Sequence, residues 1–248
     1  MLKYFEVGSI KVPTYGMAVL LGIVVVNVIA GIVIKKNKLD FHRYVLIELS
    51  GGIGAIVGAK LLALLEAYIR LIIDESVVQL LEQVGYSYYG GLFGFLIATY
   101  VYSSFGKMDI REYACKLTFL FPLLHAFWKI GCYLGGCCIG QPYIGRWAIT
   151  YPMDVNVLSG TSCFPIQLVE SMVAIMICMI LIIINWKNIK QNQMAVYLQL
   201  YGITRFVIEF FRYHGGDGIW SISHIMSCIC ICVGLYMGKN NRTEVYNE

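Results

Sequence analysis

Seven apolar stretches, each close to the length that crosses a bilayer, constrain this sequence more than any other feature. A helix needs about 20 mostly apolar residues to cross the hydrocarbon. The stretches cover residues 15–34, 44–66, 88–105, 113–134, 165–186, 194–212 and 220–237. Since 58% of the residues are hydrophobic, 14% are charged and the mean hydropathy is +0.70, the composition is typical of a membrane protein. The sequence therefore predicts an all-α integral membrane protein of about seven transmembrane helices, with residues 1–248 in a single membrane domain.

Lysine and arginine concentrate in alternate connections between these stretches, and cytoplasmic loops are the ones that carry them. The rich side carries Lys35, Lys36, Lys38, Arg43, Lys107, Arg111, Lys187, Lys190, Lys239 and Arg242. The opposite side carries Arg70, Arg146 and Arg212, while Lys3 and Lys11 go against the trend. We expect the N-terminus outside, the C-terminus in the cytoplasm and a first helix that acts as a signal anchor. The modest net charge of +4 argues against a nucleic-acid partner.

Two connections are expected to lie on the outer side. Residues 139–163 are too polar to cross the membrane, so they predict an extracytoplasmic arm between helices four and five, with short strands or helices. Residues 67–87 contain an amphipathic stretch that is typical of a segment lying at the membrane interface.

Nine cysteines raise the question of metal or disulfide chemistry. Cys115, Cys178, Cys228, Cys230 and Cys232 are interpreted as small apolar fillers. A second group lies near the outer end of helix four and in the loop beyond it: Cys132, Cys137, Cys138 and Cys163. Its spacing differs from that of zinc sites, so no metal and no cofactor are predicted. Packing, an extracytoplasmic disulfide and a reactive or metal-binding thiol remain open as alternatives.

Polar residues interrupt five of the helices at the same predicted end. Such groups are costly in lipid and normally face a cavity or one another. They are Tyr15 and Gly16; Tyr88 to Gly91; His125, Lys129 and Gly131; Pro165, Gln167 and Glu170; and Tyr201, Arg205, Glu209 and Arg212. The paired glycines Gly90-Gly91 and Gly135-Gly136 allow close backbone approach and could expose N–H groups to a cavity. The sequence thus predicts a polar chamber near the outer leaflet.

Helix six carries the strongest charge pattern. Arg205 and Glu209 are four residues apart and Glu209 and Arg212 three apart, so the three share a face with Tyr201. One interpretation is an ion pair that neutralises itself and locks the bundle. The other is an anion site, in which Glu209 orients Arg205 and one arginine binds a ligand phosphate. Lys129 could add a second cation or could extend toward the interface as membrane lysines often do.

An ordered set of motifs resembles the prolipoprotein diacylglyceryl transferase family. The set covers roughly residues 12 to 230 and comprises Tyr15-Gly16, Gly58-Ala59-Lys60, Gly90-Gly91-Leu92-Phe93-Gly94, the segment Lys129 to Gly140, Pro165 to Glu170, Tyr201 and the segment Arg205 to Arg212. The family also has seven spans with an outside N-terminus. The resemblance implies a bacterial plasma-membrane enzyme that moves a diacylglyceryl group from phosphatidylglycerol to the thiol of a lipobox cysteine in a preprolipoprotein, releasing glycerol phosphate.

The resemblance also implies roles for individual residues. The catalytic set would be Arg205, Glu209, Tyr89 and Tyr15, with Glu209 fixing the arginine geometry. The substrate-binding set would be Lys129, Arg212, Tyr201, Gln167, Gly140, Cys132, Gly90 and Gly91. Arg212 would share the phosphate with Arg205, Tyr15 and Tyr201 would line the headgroup pocket, and Gly140 would give the backbone room.

This chain departs from the family pattern at several of these positions. Lys60 and Lys129 replace arginines, which preserves the charge but loses the bidentate fork. Tyr89 and Phe164 replace histidines, and a tyrosine with a pKa of about 10 is a poor base for a thiol. Cys132 and Cys137 replace an asparagine and a glutamate. The sequence therefore predicts a diverged member of the family.

Two alternatives to the transferase stay open at this stage. A non-catalytic lipid-binding paralogue or a small-solute carrier could use the same outer-face cavity, although carrier sites usually lie near the midplane. A thiol oxidoreductase that uses Cys137 and Cys138 is disfavoured, since adjacent cysteines rarely form an unstrained disulfide.

Overall fold

The protein is mostly helical in its computed structural model, which describes residues 4–7, 10–73, 85–106, 110–151, 160–187, 191–213 and 221–246. Eight helices occur in the described residues: α1 (Thr14–Lys36), α2 (Phe41–Ile73), α3 (Tyr88–Gly106), α4 (Arg111–Leu117), α5 (Leu120–Gly135), α6 (Ile166–Trp186), α7 (Gln193–Glu209) and α8 (Ile222–Tyr246). The chain divides into two compact units, one of residues 1–33 and 114–248 and the other of residues 34–113.

Four of the described helices are long and apolar enough to cross a membrane. They are Thr14–Lys36, Phe41–Ile69, Ile166–Trp186 and Ile222–Lys239. The protein is therefore a helical membrane protein, as the composition predicts. The finer prediction of seven spans stays a prediction, because α5 and α7 have only 16 and 17 residues.

The predicted fourth helix, residues 113–134, is wrong as one continuous element. The structure has two helices there, with a turn at Thr118 and Phe119 between α4 and α5. Pro122 explains the break, because proline has no N–H to donate to the carbonyl four residues earlier, which belongs to Thr118. The Thr118 carbonyl instead accepts from the N–H of Phe121 at 3.1 Å.

The unit of residues 34–113 depends on glycines where α2 and α3 cross. A Cβ added at Gly94 would lie 2.1 Å from the carbonyl oxygen of Gly54, and one at Gly90 would lie 2.3 Å from that of Gly58. Gly54 and Gly58 are four residues apart on α2, and Gly90 and Gly94 are four residues apart on α3. This spacing lets helix backbones touch in membranes. The glycines of α3 thus serve helix packing in this unit.

The other unit brings α1 and α5 together in the same way. A Cβ at Gly131 would lie 3.1 Å from the Tyr15 carbonyl oxygen, and one at Gly22 would lie 2.6 Å from the Cβ of Phe127. Helices α7 and α8 are also close, since a Cβ at Gly202 would lie 2.8 Å from the Ser227 carbonyl oxygen. These contacts fix the helices that carry the charged residues described below.

Two small antiparallel sheets accompany the helices. Strands β1 (Tyr4–Val7) and β2 (Ile10–Pro13) pair ahead of α1, a hairpin that the sequence analysis did not predict. Strands β3 (Ile149–Thr150) and β4 (Ser162–Cys163) pair within the predicted arm. Residues 152–159 of that arm, and residues 74–84 of the predicted interfacial stretch, lie outside the described residues. The earlier part of that stretch continues α2 as far as Ile73.

Candidate functional site

Glu170, in the first turns of α6, binds cations that come from two other parts of the chain. Its Oε2 lies 2.5 Å from the Nζ of Lys129 on α5. Its Oε1 accepts a short hydrogen bond from the Nη1 of Arg205 on α7. The side chain of Glu170 is only 2% exposed, so these pairs are shielded from water. Burial of a carboxylate in this setting requires such partners.

Glu209 forms the second acidic centre of the same cluster. Its Oε2 lies 2.6 Å from the Nη2 of Arg205, and its Oε1 accepts a hydrogen bond from the Oγ of Ser221 at 2.8 Å. Arg205 therefore bridges the two carboxylates, with one guanidinium nitrogen on each. The predicted orientation of Arg205 by Glu209 agrees with this contact, and Glu170 adds a second one.

Arg212 lies beyond the end of α7. The apolar pattern predicted that this helix extends to residue 212, but it ends at Glu209. Its Nη2 lies 3.5 Å from the Oε1 of Glu170, and its Nη1 lies 3.9 Å from the Oε2 of Glu209. Within the described part of the chain, its buried Nε and Nη2 have no hydrogen-bond partner. Arg212 thus retains donors that an anion could use.

The cluster carries a surplus of positive charge. Lys129, Arg205 and Arg212 supply three positive charges, while Glu170 and Glu209 supply two negative ones, which leaves a net charge of one positive unit. A bound ligand with one negative charge would neutralise the site. The low dielectric around buried groups would strengthen its attraction to the cluster. The surplus positive charge agrees with the interpretation of an anion site, and binding of a phosphate there stays a prediction.

Glu170 and Arg205 of this cluster line a cleft. Its empty volume is about 310 Å³, including space open to solvent. Along α6 its wall runs from Glu170 through Val173 and Ala174 to Ile177, a rise of about 10 Å at 1.5 Å per residue. His125, Tyr201 and Arg205 lie at the cleft as well. A cleft with charged and aromatic groups beside an apolar wall suits an amphiphile with an anionic headgroup.

Gly140 positions Arg212 through the backbone. The two residues pair as an isolated antiparallel bridge, flanked by a hydrogen bond from the N–H of Tyr213 to the Ile139 carbonyl at 3.2 Å. A Cβ at Gly140 would lie 2.3 Å from the carbonyl oxygen of Phe164. The sequence prediction that Gly140 gives the backbone room is consistent with this close approach.

Substitution of Gly140 by alanine is expected to displace this segment and, with it, Arg212. Overpacking of this kind costs about 1–3 kcal/mol. We expect a lower melting temperature in detergent and weaker binding of an anionic lipid. Gly31→Ala is the matched control, because a Cβ at Gly31 meets nothing within 4 Å. Equal melting temperatures and lipid affinities for Gly140→Ala and Gly31→Ala would contradict the steric argument.

Gln167 holds the arm and the end of α5 together. Its Nε2 donates to the Cys137 carbonyl at 2.7 Å, and its Oε1 accepts from the hydroxyl of Tyr151 at 2.9 Å. Burial raises the pKa of Tyr151 to about 12, so this hydroxyl stays protonated and donating. Substrate binding by Gln167 stays a prediction. In the structure, both the nitrogen and the oxygen of its side-chain amide form hydrogen bonds within the protein.

Three cysteine thiols converge at the C-terminal end of α5. The Sγ atoms of Cys132, Cys137 and Cys138 all lie within 4.8 Å of one another, and each thiol is free. Hydrogen bonds from Cys132 and Cys137, with the positive charges of Arg212 and Lys129, lower the pKa of the Cys138 thiol. The sequence analysis placed these cysteines near one another at the end of a helix, but their spacing did not predict that the three thiols would meet. The predicted role of Cys132 in substrate binding stays a prediction.

Tyr15 and Tyr201 contact different residues of α5. Tyr15 packs against Gly131 and Gly135, and its ring centroid is 6.3 Å from that of Trp128. The ring centroid of Tyr201 is 5.6 Å from that of His125. Tyr201 lines the cleft described above, and Tyr15 is not among the residues that line it. The headgroup-pocket role of both tyrosines and the catalytic role of Tyr15 stay predictions.

Tyr89, Gly90 and Gly91 belong to the other unit. Tyr89 is buried at the start of α3, and the N–H of Gly91 donates to the Ser87 carbonyl at 3.0 Å. Nearby, the Nζ of Lys60 lies over the ring of Tyr86 at 5.4 Å from its centroid. The catalytic role of Tyr89 and the substrate-binding roles of both glycines stay predictions.

The sequence analysis named Glu170 among the polar residues but did not include it in the site. The available signal was a carboxylate in an apolar helix, which in a membrane implies a buried partner. The periodicity of one helix could not show that partners from α5 and α7 would meet there. His125 was likewise named only as a neighbour of Lys129, and it lines the cleft.

Comparison with known proteins shows which family has a similar sequence. The sequence profile of the prolipoprotein diacylglyceryl transferases matches residues 3–238. The chain belongs to this family. It is 26% identical over 243 residues to a protein of Clostridium tetani named phosphatidylglycerol–prolipoprotein diacylglyceryl transferase, with 96% of each chain covered. A protein of Campylobacter lari with the same name is 29% identical over 263 residues, covering 94% of this chain and 90% of its own.

The prolipoprotein diacylglyceryl transferase profile confirms the resemblance drawn from the motifs. A second clostridial relative, from Clostridium perfringens and also named phosphatidylglycerol–prolipoprotein diacylglyceryl transferase, is 26% identical with 98% of this chain covered. The match extends over both compact units. The matched range includes the segments that carry Lys129, Glu170 and Arg205.

Proposed function

We propose that this protein transfers a diacylglyceryl group from phosphatidylglycerol to the thiol of a lipobox cysteine in a preprolipoprotein. Family membership supports the activity, and so do the names of relatives that match nearly the full chain. The single observation that carries the proposal is the buried cluster with one surplus positive charge beside an apolar cleft. That combination suits a lipid phosphate with attached acyl chains.

The reaction breaks one C–O bond and forms one C–S bond. The cysteine thiolate attacks the glyceryl carbon that carries the phosphate, and the electron pair of the C–O bond leaves with the phosphate oxygen as glycerol phosphate. The proton of the thiol must be lost before or during attack. Negative charge that builds on the leaving phosphate is stabilised by preorganised donors aimed at it.

The proposed roles follow from the contacts of each residue. Arg212 uses its available Nε and Nη2 donors to bind the phosphate. Arg205 and Lys129 are held by Glu170, so their positive charges stay fixed as the charge of the phosphate grows. Tyr201 contributes the wall of the headgroup pocket. Tyr89 stands where the resemblance implies a histidine, and its catalytic role is a prediction that rests on that resemblance alone.

A direct assay tests the proposal. The purified protein is incubated with phosphatidylglycerol labelled in its diacylglyceryl part and with a lipobox peptide, and the peptide is analysed by mass spectrometry. We expect the peptide to gain one diacylglyceryl group and glycerol phosphate to appear in equal amount. A peptide whose cysteine is replaced by serine is the control, and it should stay unmodified.

The same assay separates the alternatives. A lipid-binding paralogue would retain labelled phosphatidylglycerol through gel filtration without modifying the peptide. A small-solute carrier would do neither. The carrier interpretation gains nothing from the cleft, whose apolar wall along α6 suits acyl chains better than a hydrated solute.

We also propose that the protein spans a bacterial plasma membrane seven times, with its N-terminus outside and its C-terminus cytoplasmic. Positions 144 and 187 test the orientation, because Ile144 is 99% exposed in the arm and Lys187 is exposed after α6. A cysteine at position 144 should react with a membrane-impermeant thiol reagent added to intact cells, above the labelling of the unmodified protein. A cysteine at position 187 should react only after the cells are opened, and the reverse pattern would contradict the orientation.

A further inference from the structure

The end of α5 folds back on itself so that three thiols face one point. Gly136 ends the helix in the left-handed region, with φ of 70°, and its N–H bonds to the carbonyls of Cys132 and Tyr133. The N–H of Cys137 then donates to the Cys132 carbonyl at 3.0 Å. This is the hydrogen-bond pattern of a glycine-terminated helix, which reverses the chain. The reversal returns Cys137 and Cys138 to the last turn, where Cys132 lies.

Cys138 adopts a backbone conformation that a cysteine rarely takes. Its φ is 57°, and Lys38 is the other described non-glycine residue with a positive φ. The left-handed region costs an ordinary residue about 1–2 kcal/mol. Such strain is concentrated at sites where the placement of a side chain matters. Here the unusual φ directs the Cys138 thiol toward the other two.

The three thiols match a soft cation in number, kind and spacing. A zinc ion with Zn–S bonds of about 2.3 Å holds its sulfur ligands about 3.8 Å apart in a tetrahedron. The Sγ atoms here lie within 4.8 Å of one another, so contraction by about an ångström would close the site. A disulfide would instead need two sulfurs at about 2.05 Å and would leave the third thiol alone.

The surroundings also suit a thiolate site. Three thiolates and a divalent zinc ion carry one net negative charge. The positive charges of Lys129 and Arg212 act on Cys138, so they would offset that charge. Cys137 and Cys138 are exposed while Cys132 is buried, which leaves an entry path for the ion on one side and a closed floor on the other. Water could take the fourth position, as in three-ligand zinc sites.

We propose that Cys132, Cys137 and Cys138 form a three-thiolate site for a soft divalent cation, with Zn²⁺ as the physiological ion. The ion ties the last turn of α5 to the loop that leads into the arm, next to the Gln167 hydrogen bond to the Cys137 carbonyl. Nothing in this assignment depends on the transferase reaction. It departs from the sequence prediction of no metal, which compared the spacing of the cysteines with that of known zinc motifs and could not show that the chain reversal at Gly136 brings the three thiols together.

Zinc binding to the full chain tests the site. The protein is purified in detergent with a phosphine reductant, loaded with Zn²⁺, freed of excess by gel filtration and analysed by mass spectrometry of its metal content. We expect about one zinc ion per chain for the wild type, as for a single site of this class. Cys137→Ser and Cys138→Ser should each lose this zinc. Cys228→Ala is the matched control, since Cys228 is an exposed cysteine on α8 outside the cluster.

Cadmium provides a readout of the ligands themselves. Cd²⁺ bound by thiolates gives an ultraviolet charge-transfer absorption whose intensity follows the number of sulfur ligands. The wild type should show the intensity of three thiolates, and each single serine variant at most that of two. Thermal melts of every variant in detergent establish that the chain is folded, so that loss of metal is not loss of structure.

Two results would overturn the site. One is a zinc content and cadmium absorption that are the same in the wild type and in the Cys137→Ser and Cys138→Ser variants. The other is a disulfide between two of the three cysteines, seen by mass spectrometry of protein isolated without reductant and persisting when Zn²⁺ is supplied. Either outcome leaves the transferase assay unaffected, so the two proposals can fail separately.

Discussion

Glu170→Gln is expected to abolish lipid transfer. The change removes one of the two carboxylates that face Lys129, Arg205 and Arg212, so the surplus of the cluster rises from one positive charge to two. Removal of one partner from a buried ion pair costs about 3–5 kcal/mol, because the remaining charges stay uncompensated. The neutral amide cannot hold both Lys129 and Arg205 in place. We expect transfer to fall by roughly 100-fold or more, the range seen when charge-stabilising donors are displaced.

The measurement combines turnover with a melting curve in detergent. Glu112→Gln is the matched control, because Glu112 is an exposed glutamate in the first turn of α4. It should keep the turnover and melting temperature of the wild type. Glu170→Asp separates charge from reach, since it keeps the carboxylate but shortens the side chain, and it should melt above Glu170→Gln. Wild-type turnover by a folded Glu170→Gln protein would contradict the central position of this residue.

The sequence predicts most of the helices and one contact of the charged cluster. Apolar length placed α1, α3 and α6 within two residues of their observed ends, since helix length is set by the bilayer. The Arg205–Glu209 contact followed from a spacing of four residues on one helix. Pro122 explains the break between α4 and α5 and is present in the sequence. The apolar run around it was nevertheless interpreted as one continuous helix.

The sequence predicted that polar residues of several helices converge at one end, but it could not show which side chains would meet. Glu170 meets Lys129 and Arg205 only because α5, α6 and α7 pack together, and no local pattern encodes that packing. The thiol cluster was predicted only in part. The sequence grouped Cys132, Cys137 and Cys138 near the end of one helix, but their spacing could not show that the turn at Gly136 brings the three thiols together.

The sequence analysis predicted short strands or helices in the arm, and β3 and β4 are two such strands. Their positions could not be predicted, because two residues are too few for an alternating pattern to be recognised. The bridge between Gly140 and Arg212 likewise joins residues that are far apart in sequence. Arg212 was predicted on the face of a helix, and the structure instead places it by this bridge.

Arg205→Lys is the sharpest test of geometry, because it keeps the charge and changes only its shape. The guanidinium of Arg205 contacts Glu170 through Nη1 and Glu209 through Nη2. A lysine ammonium is a compact charge on a flexible stem and lacks the planar fork that spans two carboxylates. We expect it to pair with one carboxylate and leave the other without its partner. Transfer should fall by roughly 100-fold, with a smaller loss of stability than in Glu170→Gln.

The control for this change is Arg43→Lys. Arg43 pairs with Asp40 at 3.3 Å, but both side chains are more than half exposed, and such surface pairs contribute about 0–1 kcal/mol. It should therefore transfer lipid at the wild-type rate. If the cluster acted only through its summed charge, Arg205→Lys would do the same, since the sum is unchanged. A large loss in Arg205→Lys alone would show that the fixed fork of Arg205, rather than its charge, holds the two carboxylates in the arrangement that catalysis requires.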